Sequence, residues 1–385
     1  MIAPLLTRPQ RTALALLGAA GVAALAYGLA AEPVRTWSAY LPTAFLFLSI
    51  ALGAVVFLAI QHVANAGWSA VLKRVPEGLS SYLPVGALAL LAVLAGAPTL
   101  YPWAHAEAAH DPLLQAKAPW LNLPFFAGRM AFILSIWMLF AWRLRRRSRL
   151  QDADGSLAHT RRSRALSAGF LLVFAYTFSI AAFDWLMSVE PHWYSTIFAF
   201  YHLAGVLVAG VAGITVVTIL LRRRGLLPAV THHHLHDLGK LLFAFATFWA
   251  YLWLCQFLLI WYANLPEETV HFSRRLAGGW PFLFWLNVAL GFVLPFFALL
   301  ARKAKRVETH LLWVCLSLLG GRWLDLYLAV APAGMPEHEG VGLIEAGVVL
   351  GFTGLFAAVV ARGLRAAPLL ARNDPYFEEA LHLQQ

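Results

Sequence analysis

Residues 174–205 read FAYTFSIAAFDWLMSVEPHWYSTIFAFYHLAG, and the fold follows from how this stretch is taken. It is the end of one apolar helix, a tight turn at Glu190, Pro191 and His192, and the start of a second helix. Asp184 lies about one turn inside the first helix, and Tyr201 and His202 about a turn and a half inside the second. Trp185, Trp193 and Tyr194 bracket the turn as aromatic residues do at a bilayer interface. An ionisable group below a membrane surface is costly, so the hairpin marks a site and not only a connection.

Composition extends that reading to the whole chain. Of 385 residues, 61% are hydrophobic and 12% charged, about half the charge of a soluble domain. The 15 Trp and 11 Tyr suit aromatic belts at two interfaces. The net charge of +10 would suit nucleic acid, but the Lys and Arg lie mostly in short loops of one parity, as topology signals do. Nucleic acid is therefore excluded as a partner. Cys255 and Cys315 sit in separate apolar runs and read as small core residues. Arg8 and Arg11 precede an apolar run too long for a signal-peptide core, so it is expected to stay as a first helix.

Apolar windows predict an all-α polytopic membrane protein with ten spans. They lie near 12–31, 38–61, 80–100, 124–143, 166–188, 196–221, 238–262, 280–301, 308–331 and 341–363. Basic loops hold Lys73 and Arg74; Arg143, Arg145, Arg146, Arg147 and Arg149; Arg222, Arg223 and Arg224; and Arg302, Lys303, Lys305 and Arg306. The alternate loops 101–123, 189–195, 263–279 and 332–340 are poor in Lys and Arg, with Arg274 and Arg275 as a small violation. Both termini are thus expected in the cytoplasm, with the hairpin facing outward. Residues 1–365 form the membrane domain, and 366–385 a short cytoplasmic tail. Spans two to five and six to nine have the same alternation of direction, which predicts two four-helix bundles flanked by spans one and ten.

Several polar residues fall inside these spans. Arg322 and Asp325 are three apart and share a face of span nine, as a structural ion pair or as a proton or quinone-headgroup site. Gly320 and Gly321 beside them permit close helix approach. Asp184, His202, Asn287 and Glu345 fall in outer halves of their helices. At the inner side, Asp237 and Lys240 open span seven, Glu308 and His310 open span nine, and His62 closes span two. They read as helix caps or as the mouth of a proton half-channel. Tyr176, Thr177, Ser179, Thr247, Tyr251 and Gln256 lie between the two levels, as packing groups or as a water chain. His232, His233, His234 and His236 read as a solvated loop, and no metal is assigned. His62, His202 and His310 differ in depth, which argues against a b-type haem.

Five segments carry a resemblance: AFDWLMSVEPHWYSTIFAFY, DLGKLLFAF, QFLLIWYANLPEET, HVANAGW and GRWLDLY. Together they resemble the second polysulfide-reductase-type (NrfD-like) membrane subunit of bacterial alternative complex III, a quinol:cytochrome c oxidoreductase. The resemblance runs from about residue 62 to 375. It implies a place in the bacterial inner membrane, ten helices in two bundles and a larger sister membrane subunit of the same fold. It also implies an iron–sulfur subunit and c-type haem subunits as partners, and leaves an attached terminal oxidase open. Cofactors of the complex would then lie in those partners, with quinol or quinone as the ligand in question and lipid around the helices.

On this basis the chain is expected to support quinol oxidation without being catalytic alone, and to move protons through polar half-channels. The expected route comprises Asp184, Tyr201, His202, Arg322, Asp325 and Glu345 on the outer side, and Asp237, Lys240, Glu308 and His310 on the inner side. One rival reading has a quinone bound directly at Tyr201 and His202. The other is a secondary transporter with a midplane site.

Overall fold

Within a bilayer every backbone N–H and C=O must find its partner inside the chain, so apolar runs of about twenty residues fold as helices. The computed structural model describes residues 5–335, 340–371 and 373–384, which are all-helical with no strand among them. Ten helices are long and apolar enough to cross a membrane. They are α1 (Arg8–Ala31), α2 (Pro33–Ala64), α3 (Arg74–Leu100), α4 (Leu123–Asp154), α5 (Leu157–Val189), α6 (Phe198–Arg223), α7 (His232–Ala263), α8 (Trp280–Leu300), α9 (Glu308–Gly334) and α10 (Leu343–Leu364). The chain is an integral membrane protein. Several helices outrun the apolar windows: α4, α5 and α7 continue for one to three turns as charged helix. Hydropathy marks the apolar part of a helix, whereas hydrogen bonding carries it beyond. Of the loop expected at 332–340, residues 336–339 lie outside the described residues.

The ten helices are not equivalent. The apolar stretch of α2 is 94% buried, against 11% for α1. Helix α2 packs on α5, α6, α9 and α10, while α1 lies along α10 at the periphery. Helices α4 and α5 pair, as do α6 and α7, and α9 joins α2, α6 and α8. Small residues set the closest approaches. A Cβ on Gly53 of α2 would stand 2.7 Å from the Cα of Gly210 on α6, and one on Gly321 of α9 would stand 2.7 Å from the backbone N of Gly291 on α8. Gly291 lies in a single wide turn, Ala289–Val293, just before Pro295. Such a turn realigns the helix on either side of it.

The basic ends of the helices gather on one face, where Arg222 and Arg223 meet Glu308, and Arg74 meets Glu77 and Asp152. The tail after α10 folds back there. Lys73 bonds Asp374 at 2.6 Å, and Asn373 donates to the Asp152 carbonyl at 2.7 Å. His232, His233, His234 and His236 are not a loop: α7 begins with them, after the N-cap Thr231. His234 is fully buried, accepts from the Thr231 N–H and donates from Nε2 to the Ala380 carbonyl of the tail at 3.0 Å.

The glycine contacts make a prediction. Gly53→Ala should push α2 and α6 apart and lower stability by about 1–3 kcal/mol. Gly169→Ala, where the added methyl meets nothing within 4 Å, should not. Thermal midpoints of the two variants in detergent check this, and equal midpoints would refute the tight α2–α6 contact.

Candidate functional site

Helices α6, α7, α8 and α9 converge on one carboxylate. Asp325 is 4% exposed and accepts from Arg322 one turn earlier on α9, from the Tyr201 hydroxyl of α6, from Asn287 Nδ2 of α8 at 3.3 Å and from Trp249 Nε1 of α7 at 3.4 Å. Arg322 also donates to His202 Nδ1 at 2.9 Å. A guanidinium has no acceptor, so Nδ1 of His202 is the unprotonated nitrogen and its proton sits on Nε2. Gly205, the end of the stretch quoted first, makes room for this. A Cβ there would stand 2.6 Å from Arg322 Nη1.

Four polar atoms at this centre have no partner within the protein: Arg322 Nε, His202 Nε2, Asn287 Oδ1 and Gln256 Oε1. The last three residues line one cavity of ≈ 30 Å³, together with Tyr201, Asp325, His271 and Arg275. A water molecule needs about 10–15 Å³ of such volume and two to four polar partners, so the cavity suits one or two waters. A ligand pocket is usually at least ten times larger, about 300 Å³ or more.

The far wall of the cavity opens onto a second cluster. His271 and Arg275 lie on a short helix, Pro266–Arg275, between α7 and α8. His271 Nδ1 donates to Glu190 at 2.6 Å, Arg275 reaches Glu190 at 3.1 Å, and the half-exposed Arg274 lies at 3.8 Å. Trp193 stacks on His271 with ring centroids 3.8 Å apart. Arg275 is 3% exposed and also donates to the Leu328 and Ala329 carbonyls of α9. The arginine that violates the loop charge pattern is thus a buried structural ion and no topology signal. Burial pushes His271 down to about 4, helped by Arg275 and opposed by Glu190. Burial would raise Glu190, but Arg275 and the bond from His271 outweigh it and hold the carboxyl at about 2.

The expected outer route is only partly assembled. Tyr201, His202, Arg322 and Asp325 meet; Asp184 and Glu345 bond elsewhere. Asp184 accepts from Arg129 Nε of α4 at 2.7 Å and from Trp120 Nε1 at 2.8 Å. Arg129 in turn stacks on Trp120 and Phe125. Both carboxylate oxygens are occupied, and these partners lie in the first half of the chain. Glu345 is held by Arg35 of α2 through two bonds of 2.7 and 2.8 Å and by the Tyr327 hydroxyl. On the basic face Asp237 pairs with Lys240 at 2.5 Å, Glu308 with Arg222 and Arg223, and His310 with the Ala298 carbonyl at 2.8 Å. These bonds are separate and share no atoms. Asp237 lies in the second turn of α7, because the helix starts earlier than its apolar window, so it does not cap the helix.

Of the groups between the two levels, Tyr176 and Tyr251 are 73% and 61% exposed, toward the outside of the bundle. Thr177, Ser179 and Thr247 donate to carbonyls one turn back. Only Gln256 belongs to the central cavity. Sequence reasoning missed His271, Trp249, Arg275, Arg35 and Arg129. The two outer arginines 274 and 275 were the one available signal, since a cation on the wrong side needs a reason to be there.

The outer cluster makes a pH prediction. An unfolded histidine titrates near 6.5 and His271 in the fold near 4. Across that window the unfolded chain binds the extra proton, so stability falls as pH drops from 6.5 to 4, by about 3 kcal/mol at most. Glu190 adds a further loss as pH falls from its unfolded value near 4.5 toward 2. His271→Asn should flatten the thermal midpoint between pH 6.5 and 4 while leaving the lower limb. An unchanged slope would show that His271 does not carry it.

No protein-family model matches the chain, and no curated protein is similar enough to count as a relative.

Proposed function

We propose that this chain is a membrane subunit of a quinol:cytochrome c oxidoreductase of the alternative complex III type, and that it carries protons between a buried centre and one membrane face. The motif resemblance supports the complex. One observation carries the proton role: a line of polar groups runs from Asp325 and His202, through a water-sized cavity, to His271 and Glu190. The orientation expected from the basic loops makes the His271–Glu190 end the outer one.

The residues suggest how a proton moves. Water in the cavity receives it near Asp325 and the Nε2 edge of His202. His271, neutral above about pH 4, takes the proton on Nε2 and releases the one on Nδ1 to Glu190. Return of His271 to its first tautomer completes a transfer. Arg322 bonds Asp325 and holds its carboxylate at the cavity wall. Electrons need no path here, because the partner subunits would hold the haem and iron–sulfur groups. The direct quinone reading is less favoured, since the cavity beside Tyr201 and His202 suits water more than a ring.

Gln256→Met keeps volume and leaves the ion pair intact, but removes one acceptor from the cavity. In the purified, haem-replete complex it should lower proton release per electron while assembly is normal. Asp325→Asn should lower proton-coupled turnover more, roughly a hundredfold, though it also leaves Arg322 unpaired. Unchanged proton release in both variants would overturn the proton role. Purification of the chain free of c-type haem and iron–sulfur subunits would overturn the assignment to the complex.

A further inference from the structure

Helices α1 and α10 run antiparallel along one edge of the molecule and are pinned near their middles. A Cβ on Gly351 would stand 2.6 Å from the Cα of Gly21, and one on Gly354 would stand 2.8 Å from the Leu14 carbonyl oxygen. Toward the basic face a cavity of ≈ 640 Å³ lies along the two helices. Its walls are apolar or small, including Leu14, Gly18, Leu355 and Ala358, and a Cβ on Gly18 would meet nothing within 4 Å. Its mouth carries Arg11, Arg362 and Arg365.

Among the described residues none of these arginines has a carboxylate within ion-pair reach, unlike Lys73, Arg74, Arg222, Arg223 and Lys240 of the same face. Arg11 stands in the first turns of α1, which carry no acidic residue. A cation is unfavourable at that end of a helix dipole. Three guanidinium groups around one cavity repel one another, and an anion between them relieves both effects. Gly18 lies about 10 Å below Arg11 along α1, and Gly354 about 12 Å below Arg362 along α10, at 1.5 Å per residue. The groove is therefore deep enough for an acyl chain beneath a headgroup.

We propose that this groove is a binding site for an anionic phospholipid, with the phosphate held by Arg11, Arg362 and Arg365 and one acyl chain lying along Gly18 and Leu355. Basic pockets between membrane helices select such headgroups. The apolar depth of the site excludes free phosphate as its proper ligand. The site would fasten α1, which has little buried surface of its own, to the rest of the molecule.

Native mass spectrometry of the full chain, in detergent holding equal amounts of phosphatidylglycerol and phosphatidylcholine of one acyl length, tests this. The protein should retain phosphatidylglycerol preferentially. Replacing each arginine by Gln should cut that preference roughly fivefold. Gly18→Leu fills the groove, has room to fold and leaves the arginines in place, so it should also lower retention. Millimolar inorganic phosphate should not displace the lipid. Equal retention of the two lipids, or retention unchanged in the triple Gln variant and in Gly18→Leu, would overturn the proposal. Displacement by phosphate would overturn the lipid as occupant and leave an anion site only.

Discussion

The structure depends on keeping Arg322 and Asp325 together away from water. An ion pair in a low-dielectric interior is tolerable only if its remaining hydrogen-bonding capacity is met, and removing one partner costs about 3–5 kcal/mol. The surroundings of this pair meet most of that demand from four helices, with Arg322 Nε left without a partner in the protein. Tyr201, Asn287 and Trp249 each donate to Asp325, and His202 takes a bond from Arg322. Close approach of the backbones is a condition for this, and Gly205, Gly291 and Gly321 supply it. One charged pair therefore fixes the relative placement of α6, α7, α8 and α9.

A similar device serves the first half of the chain in a simpler form. Asp184 near the end of α5 is bonded to an arginine and a tryptophan indole, as Asp325 is in α9. Arg129 Nη2 beside Asp184 has no partner, so the difference lies in the carboxylate's surroundings. Around Asp184 the carboxylate is fully occupied. Around Asp325, His202, Asn287 and Gln256 keep polar atoms aimed at a cavity. Buried polar groups without protein partners are expensive, so a cavity that gathers them suits water. Glu345 with Arg35 follows the first pattern: a closed bond between α2 and α10, with nothing left to exchange.

The opposite-face cluster ties the hairpin to the second half of the chain. His271 and Arg275 fasten the short helix Pro266–Arg275 to Glu190 of the hairpin and to carbonyls of α9. Burial and Arg275 keep His271 neutral against the pull of Glu190, and the bonds to Glu190 keep that carboxylate ionised across ordinary pH, a proton donor beside an acceptor at the edge of the cavity.

What the sequence alone determined was the membrane class, the ten helices and the polar candidates, because these are local properties. Twenty apolar residues span a bilayer whatever surrounds them, and a charge within such a run is visible as a letter. The i, i+3 spacing of Arg322 and Asp325 likewise made their pairing legible, and Tyr201 and His202 were placed at the right end of their helix. What only the tertiary structure decided was partnership. Arg129, not a residue of the second half, holds Asp184; Arg35 holds Glu345; and His271 faces the cavity that Asp325 occupies. These contacts join residues 55 to 310 positions apart in the chain. The centrality of α2 was equally invisible, since a high hydropathy suits a lipid-facing helix as well as a buried one. In a bilayer, apolar residues are equally at home against lipid and against protein, so hydropathy cannot report which face is buried, and the small-residue contacts that settle it exist only once the helices have met.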